Sequence, residues 1–206
     1  MDPACVTRAV RSGASVVDVR PLDEFTRQHL AGAIYVAFNR RTLPSVLRAC
    51  VNPGDLVLIA SSDAVGEAAR RLVSTEEGYR VVECVTVATD GLRAFACATE
   101  PLGLTTVEEL AGRLEAGAKG LRLVDVREPF EWTLGIIEGS TLLSLRDVRA
   151  AAGGWAGALE VVCVCEEGFR SATAASLFKK QGIRAVTSLA GGIGLWHGSG
   201  RPLREP

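Results

Sequence analysis

The chain has almost no net charge. Its 206 residues hold 23 Lys and Arg against 24 Asp and Glu, a formal charge of -1, so no electrostatic case exists for nucleic acid or an anionic membrane as partner. It also lacks any uncharged apolar stretch approaching the roughly 18 residues that suggest a membrane span. The opening residues, Met1-Asp2-Pro3-Ala4-Cys5-Val6-Thr7-Arg8, have no basic-then-apolar signal order, and charged residues recur soon after them. Cysteine is sparse and scattered. Cys5, Cys50, Cys84, Cys97, Cys163 and Cys165 have neither the density of a disulfide framework nor the spacing of metal ligands. A reducing, cytoplasmic setting is expected, with no metal and no cofactor. His29 and His197 stand without carboxylate or cysteine support nearby in sequence and read as surface or capping groups.

What is present is an ordinary globular composition, 48% hydrophobic and 23% charged, in a length that suits one or two domains. An internal repeat decides for two. Asp18-Val19-Arg20 recurs 107 residues later as Asp125-Val126-Arg127, and the register holds from Glu24 on Glu131 to Gly32 on Gly139. Leu58-Ile59-Ala60-Ser61 falls on Val162-Cys163-Val164-Cys165 at a spacing of 104, and Gly91, Leu92, Phe95, Pro101 and Leu102 fall on Gly192, Ile193, Trp196, Pro202 and Leu203 at 101. The chain is therefore read as two copies of one unit, residues 1–102 and 103–206.

Each copy alternates strand and helix. Val16 to Val19 and Leu121 to Val126 are β-branched runs that suit strands buried on both faces. Asp55 to Ala60 and Glu160 to Val164 are predicted central strands, each followed by a helix, Val65 to Ser74 and Ser171 to Gln181. Further strands begin at Arg80 and Arg184. Val107 to Leu114 has helical spacing, with Thr105 or Thr106 as N-cap. Alternation of this kind implies an α/β fold in both halves, each a mostly parallel sheet flanked by helices on both faces. Trp132, Trp196 and Phe95 read as core aromatics.

Chemistry concentrates where the second copy's central strand meets its helix, at Cys165-Glu166-Glu167-Gly168-Phe169-Arg170-Ser171. Ligands of parallel sheets bind beyond the carboxyl ends of the strands, and Cys165 is placed there. The thiolate is the nucleophile, and an ordinary thiol is mostly protonated at neutral pH. A tight loop entering a helix directs unpaired N–H groups and the positive end of the helix dipole inward. Gly168 lets the loop curl, Arg170 adds a full positive charge, and the Ser171 hydroxyl either bonds the loop or the sulfur or caps the helix, with capping the preferred reading. The competing reading is a cysteine that merely ends a buried strand. Cys163, two positions earlier, is expected to pack in the sheet.

The pattern Cys165-x-x-Gly168-x-Arg170-Ser171 resembles the active-site loop of the rhodanese family of sulfurtransferases. The likeness extends to Leu123-Val124-Asp125-Val126-Arg127-Glu128-Pro129-Phe130-Glu131-Trp132, to Gly139, and to Ala190-Gly191-Gly192-Ile193 with Trp196 and Pro202. The resemblance implies that Cys165 takes a sulfane sulfur from thiosulfate, a persulfide or a polysulfide. It then passes that sulfur, as a persulfide, to a thiol, a protein acceptor or cyanide. Glu166, Glu167, Gly168, Phe169, Arg170 and Ser171 would form the anion-binding loop, with Asp125, Arg127, Gly191 and Gly192 in support. Asp125 with Arg127, like Asp18 with Arg20, is expected to fix the following loop, with Glu131 or Glu24 joining the ion pair. The departure is Glu166-Glu167, two acidic residues that work against a doubly charged donor unless they face solvent.

In the first copy Ser61 stands at the cysteine position, with Ala64 read opposite Gly168 and Gly66 opposite Arg170. That half is expected to be catalytically silent, with a structural or docking role. Two rival readings are a non-catalytic binding module and a cysteine-dependent phosphatase or arsenate reductase. The second weakens on loop length, because four residues separate Cys165 from Arg170 where oxyanion-processing loops have five.

Overall fold

The structure, a computed structural model, describes residues 3–87, 91–117, 119–155 and 160–206. The chain divides into two compact units, Met1–Pro101 and Leu102–Pro206. In the first, α1 (Pro3–Arg11), β1 (Ser15–Asp18), α2 (Leu22–Arg27), β2 (His29–Leu30), β3 (Ile34–Tyr35), α3 (Leu43–Cys50), β4 (Gly54–Ala60), α4 (Asp63–Ser74), β5 (Tyr79–Thr86) and β6 (Thr99–Glu100) follow in order. The sheet runs β3-β1-β4-β5 with every pairing parallel, while β2 and β6 form a small antiparallel pair. β4 lies inside this sheet and its last five residues are buried, which is why Leu56 to Ala60 read as one unbroken apolar run.

The second unit contains β7 (Gly103–Thr105), α5 (Val107–Glu115), β8 (Leu121–Asp125), α6 (Pro129–Trp132), β9 (Ser140–Leu142), α7 (Leu145–Ala151), β10 (Glu160–Val164), α8 (Phe169–Lys180), β11 (Val186–Leu189) and α9 (Gly192–Gly198). Its sheet, β7-β11-β10-β8-β9, is also parallel throughout. Removing β7 leaves the strand order of the first unit, with β8, β9, β10 and β11 in the places of β1, β3, β4 and β5. β10 is the central strand. Its Val162 and Val164 pack with Val107 and Leu110 of α5 and Ile193 and Trp196 of α9. The alternate residues Val161 and Cys163 are equally buried and so face the other side of the sheet, where α8 lies against β10 and β11. α8 is closed in all round, with every residue from Ser171 to Phe178 buried.

Local signals explain several boundaries. Thr106 caps α5: its Oγ1 accepts the Glu109 N–H at 3.1 Å, and the Glu109 carboxylate accepts the Thr106 N–H at 2.8 Å, a reciprocal capping box. Thr106→Ala should lower the stability of this unit by about 1 kcal/mol, measured as a shift in urea midpoint at constant slope. Gly182, at φ +90°, takes the left-handed turn that ends α8 after Lys179 and Lys180. β11 starts at Val186, two residues after the predicted onset at Arg184.

Two aromatic and histidine expectations change. Trp196 and Phe95 are buried, but Trp132 is only half-buried on the short helix α6. His29 is not a surface group: it is 1% exposed, stacks on Phe25 with ring centroids 4.0 Å apart, and has Nδ1 2.9 Å from the Phe25 carbonyl oxygen and Nε2 3.9 Å from Glu100. Glu100 reaches it through the β2–β6 pairing, a long-range contact that sequence neighbours do not reveal. Among the described residues no helix is long and apolar enough to cross a membrane, and no group of three or more His, Cys, Asp or Glu is placed to hold a metal ion.

Candidate active site

Cys165 is the first residue beyond β10, and 1% of it is exposed. Its Sγ accepts the Gly168 N–H at 3.1 Å and lies 3.3 Å from Ser171 Oγ. Gly168 is the N-cap of α8 and sits at φ +104°, a left-handed conformation that glycine adopts at little cost. That turn aims its N–H at the sulfur. Ser171 does not cap the helix. Its hydroxyl donates to the Gly168 carbonyl at 3.0 Å and shares a 2.7 Å hydrogen bond with Ser188 of β11, so it braces the loop from beneath while touching Sγ.

The far wall comes from α9. Ile193 N–H donates to the Cys165 carbonyl at 2.8 Å, and Gly194 N–H donates to that of Glu166 at 3.0 Å. Gly191 and Gly192 precede these donors at φ +70° and +61°. A Cβ on Gly192 would lie 2.3 Å from the Cys165 carbonyl oxygen and 2.4 Å from that of Glu166, so only glycine permits this approach.

Two arginines flank the loop. Arg127 is buried, with Nε and Nη2 donating to the Asp125 carboxylate and Nη2 also donating to the Gly135 carbonyl at 2.7 Å. Its Nη1 lies 3.8 Å from Glu166. The same clamp stands in the first unit, where Arg20 holds Asp18 and donates to the Gln28 carbonyl at 2.8 Å; Gln28 and Gly135 keep the 107-residue repeat. Asp18 is pushed up from its ordinary range by burial, against the lowering effect of Arg20.

Arg170 is bound bidentately by Glu131 of α6, at 2.5 and 2.7 Å. Glu131 thus forms its bidentate pair with the loop arginine, while the Arg127 charge also acts on it; its counterpart Glu24 approaches Arg20 at 3.8 Å. The hydrogen bond from Arg170 is the main reason the Glu131 carboxyl is held below its ordinary range, and the same bond raises Arg170. Glu166 and Glu167 are exposed, as is Phe169 at 44%. Cys163 is fully buried, and burial, with Cys165 adding to it, pushes its thiol well up. No disulfide joins any of the cysteines among the described residues.

The first unit has no such loop. β4 reaches α4 across Ser61 and Ser62 alone, whereas residues 165–168 separate β10 from α8. Ser62 is the N-cap, its Oγ accepting the Val65 N–H at 3.3 Å. Aligned by their N-caps, Ala64 and Val65 stand opposite Arg170 and Ser171. The gapless pairing of Ala64 with Gly168 and Gly66 with Arg170 is thus corrected by a two-residue deletion at the loop.

Residues 106–199 match the family described as the rhodanese-like domain. A probable adenylyltransferase/sulfurtransferase, MoeZ, of Mycobacterium tuberculosis is 34% identical over 115 residues, 55% of this chain and 28% of the relative. The thiosulfate sulfurtransferase GlpE of Pseudomonas paraeruginosa is 41% identical over 80 residues, 37% of this chain and 70% of the relative. A sulfurtransferase of Allochromatium vinosum is 32% identical over 99 residues, 48% of this chain and 92% of the relative. The chain thus spans little more than a quarter of the mycobacterial protein but most of the other two.

Proposed function

Because this chain belongs to the rhodanese-like family, we propose that it is a sulfurtransferase in which Cys165 carries the sulfur. The observation that carries this reading is the Gly168 N–H aimed at Cys165 Sγ from 3.1 Å at the end of the central parallel strand. A fixed N–H beside the sulfur favours negative charge there, on the attacking thiolate and on a terminal persulfide sulfur.

The transfer divides into two half-reactions. The Cys165 thiolate attacks the outer sulfur of a sulfane donor. The donor's S–S bond breaks, and its electron pair leaves with sulfite when the donor is thiosulfate, or with a thiolate when it is a persulfide or polysulfide. Cys165 is left as a persulfide. An acceptor thiolate or cyanide then attacks the terminal sulfur, and the electron pair of the broken bond returns to Cys165. A protein thiol suits the second step as well as a small one, since Phe130 and Phe169, next to Glu131 and Arg170, expose apolar surface that a protein acceptor would cover.

Residues 1–102 are read as the non-catalytic copy. Ser61 has no loop around it and is a poor nucleophile without a base. The whole assignment is tested by intact mass after incubation of reduced protein with thiosulfate and, separately, polysulfide. One added sulfur, roughly 32 Da, lost on treatment with cyanide and mapped to Cys165 by peptide fragmentation, is the expected result. No adduct with either donor overturns the assignment.

A further inference from the structure

We propose that Glu131 is a specificity-determining residue: by consuming the positive charge of Arg170 it tunes the site to sulfane donors carrying at most one negative charge. This rests on the sulfur-transfer reading of Cys165.

Arg170 is the loop's own cation, near enough to Cys165 for their charges to interact. It would be the natural holder of an anionic donor. Both Glu131 oxygens, however, accept from its guanidinium, the fork geometry in which arginine binds a carboxylate most strongly. Glu131 is itself anchored, because Oε2 also accepts the Glu128 N–H at 2.9 Å and so completes the first turn of α6. The pair is built from both sides, with the carboxylate already in the place a donor's oxyanion would take.

The second cation is engaged too. Arg127 is spent on Asp125 and the Gly135 carbonyl, and its remaining Nη1 faces Glu166. Two guanidinium groups thus meet three carboxylates, those of Asp125, Glu131 and Glu166. Arg146 is taken up as well, by Glu128 at the N-cap of α6. Among the described residues around the loop, what is left for an anion is backbone N–H, which stabilises one developing charge on sulfur. Thiosulfate brings two charges to this acidic surround and must release sulfite, another dianion.

A matched pair of donors isolates charge. Methanethiosulfonate has thiosulfate's outer sulfur but a methyl group in place of one oxyanion, so it carries one negative charge where thiosulfate carries two. Attack by Cys165 gives the same persulfide and releases methanesulfinate with the electron pair. The quantity to measure is the kcat/KM for thiosulfate divided by that for methanethiosulfonate. Any change in the thiol's reactivity acts on both donors and cancels in this ratio.

Glu131→Gln removes the charge while glutamine still accepts the Glu128 N–H. It should raise the ratio at least about tenfold, the scale of one unpaired charge a few ångströms from another. Glu131→Gln with Arg170→Gln, which replaces the ion pair by two neutral amides, should return the ratio toward wild type. A ratio unmoved or lowered by Glu131→Gln, loss of both donors in that variant, or a rise that persists in the double variant overturns the proposal. If the wild type takes sulfur from neither donor, the sulfur-transfer reading falls first and this proposal with it; if the wild type loads and only the ratio fails to respond, this proposal falls alone.

Discussion

Cys165→Ser should reduce sulfur loading and turnover by at least about a thousandfold, the scale on which loss of a covalent nucleophile is felt. Serine keeps the size and hydrogen-bonding capacity of the residue, so Gly168 N–H and Ser171 retain a partner and the loop keeps its shape. What is lost is the nucleophilic sulfur that holds a second sulfur. Cys163 cannot take over. It is fully buried within β10, and burial pushes its thiol well up, so Cys163→Ala should load sulfur much as the wild type does. Intact mass and thiocyanate formation on both variants check this. An adduct that persists in Cys165→Ser and vanishes in Cys163→Ala would reverse the assignment of the two thiols.

Gly192→Ala should destabilise the second unit by about 3 kcal/mol or more and slow sulfur transfer in whatever protein remains folded. Two independent costs combine. An alanine at φ +61° costs roughly 1 kcal/mol through its Cβ alone. That Cβ would also meet the Cys165 and Glu166 carbonyl oxygens at 2.3 and 2.4 Å, forcing α9 off the loop. The Ile193 and Gly194 N–H bonds to those carbonyls then stretch, at roughly 1 kcal/mol apiece. The added methyl group is trivial in volume, so the penalty is one of backbone geometry. Gly198→Ala is the matched control: it lies at the end of the same helix, with nothing within 4 Å of an added Cβ. Its denaturation midpoint should stay within about 0.5 kcal/mol of wild type. Equal midpoints for the two variants would mean that α9 does not support the loop.

The strand-and-helix alternation was legible in sequence because buried parallel strands are continuous apolar runs, as in Leu56 to Ala60 and Val161 to Val164. The Asp-x-Arg clamp was legible because its two members lie two residues apart. Cys165, Gly168 and the approach of Gly192 were legible from residue types that only special geometry requires. Four features were not. The Glu131–Arg170 pair joins residues 39 apart, and a charge pattern says nothing of which carboxylate a tertiary fold delivers to which guanidinium. For Ser171 the sequence leaves open bonding to the loop or sulfur and favours capping because serine suits that role, but Gly168 takes the capping position and leaves Ser171 three residues inside the helix. His29 looked exposed because its neighbour in space, Glu100, is supplied by a distant strand. The missing two residues at Ser61 were hidden by a spacing of 104 that fits the strand and fails in the loop.

That last feature bears on how the two copies can diverge or converge. The loop of the second unit is a matter of chain length before it is one of residue identity. Ser61→Cys would place a thiol directly before the capping residue Ser62, with no backbone to curl around it and alanine where the arginine belongs. No series of substitutions restores what an insertion must supply. Point mutation can undo the second copy's loop in one step, but it has no path by which to build that loop in the first.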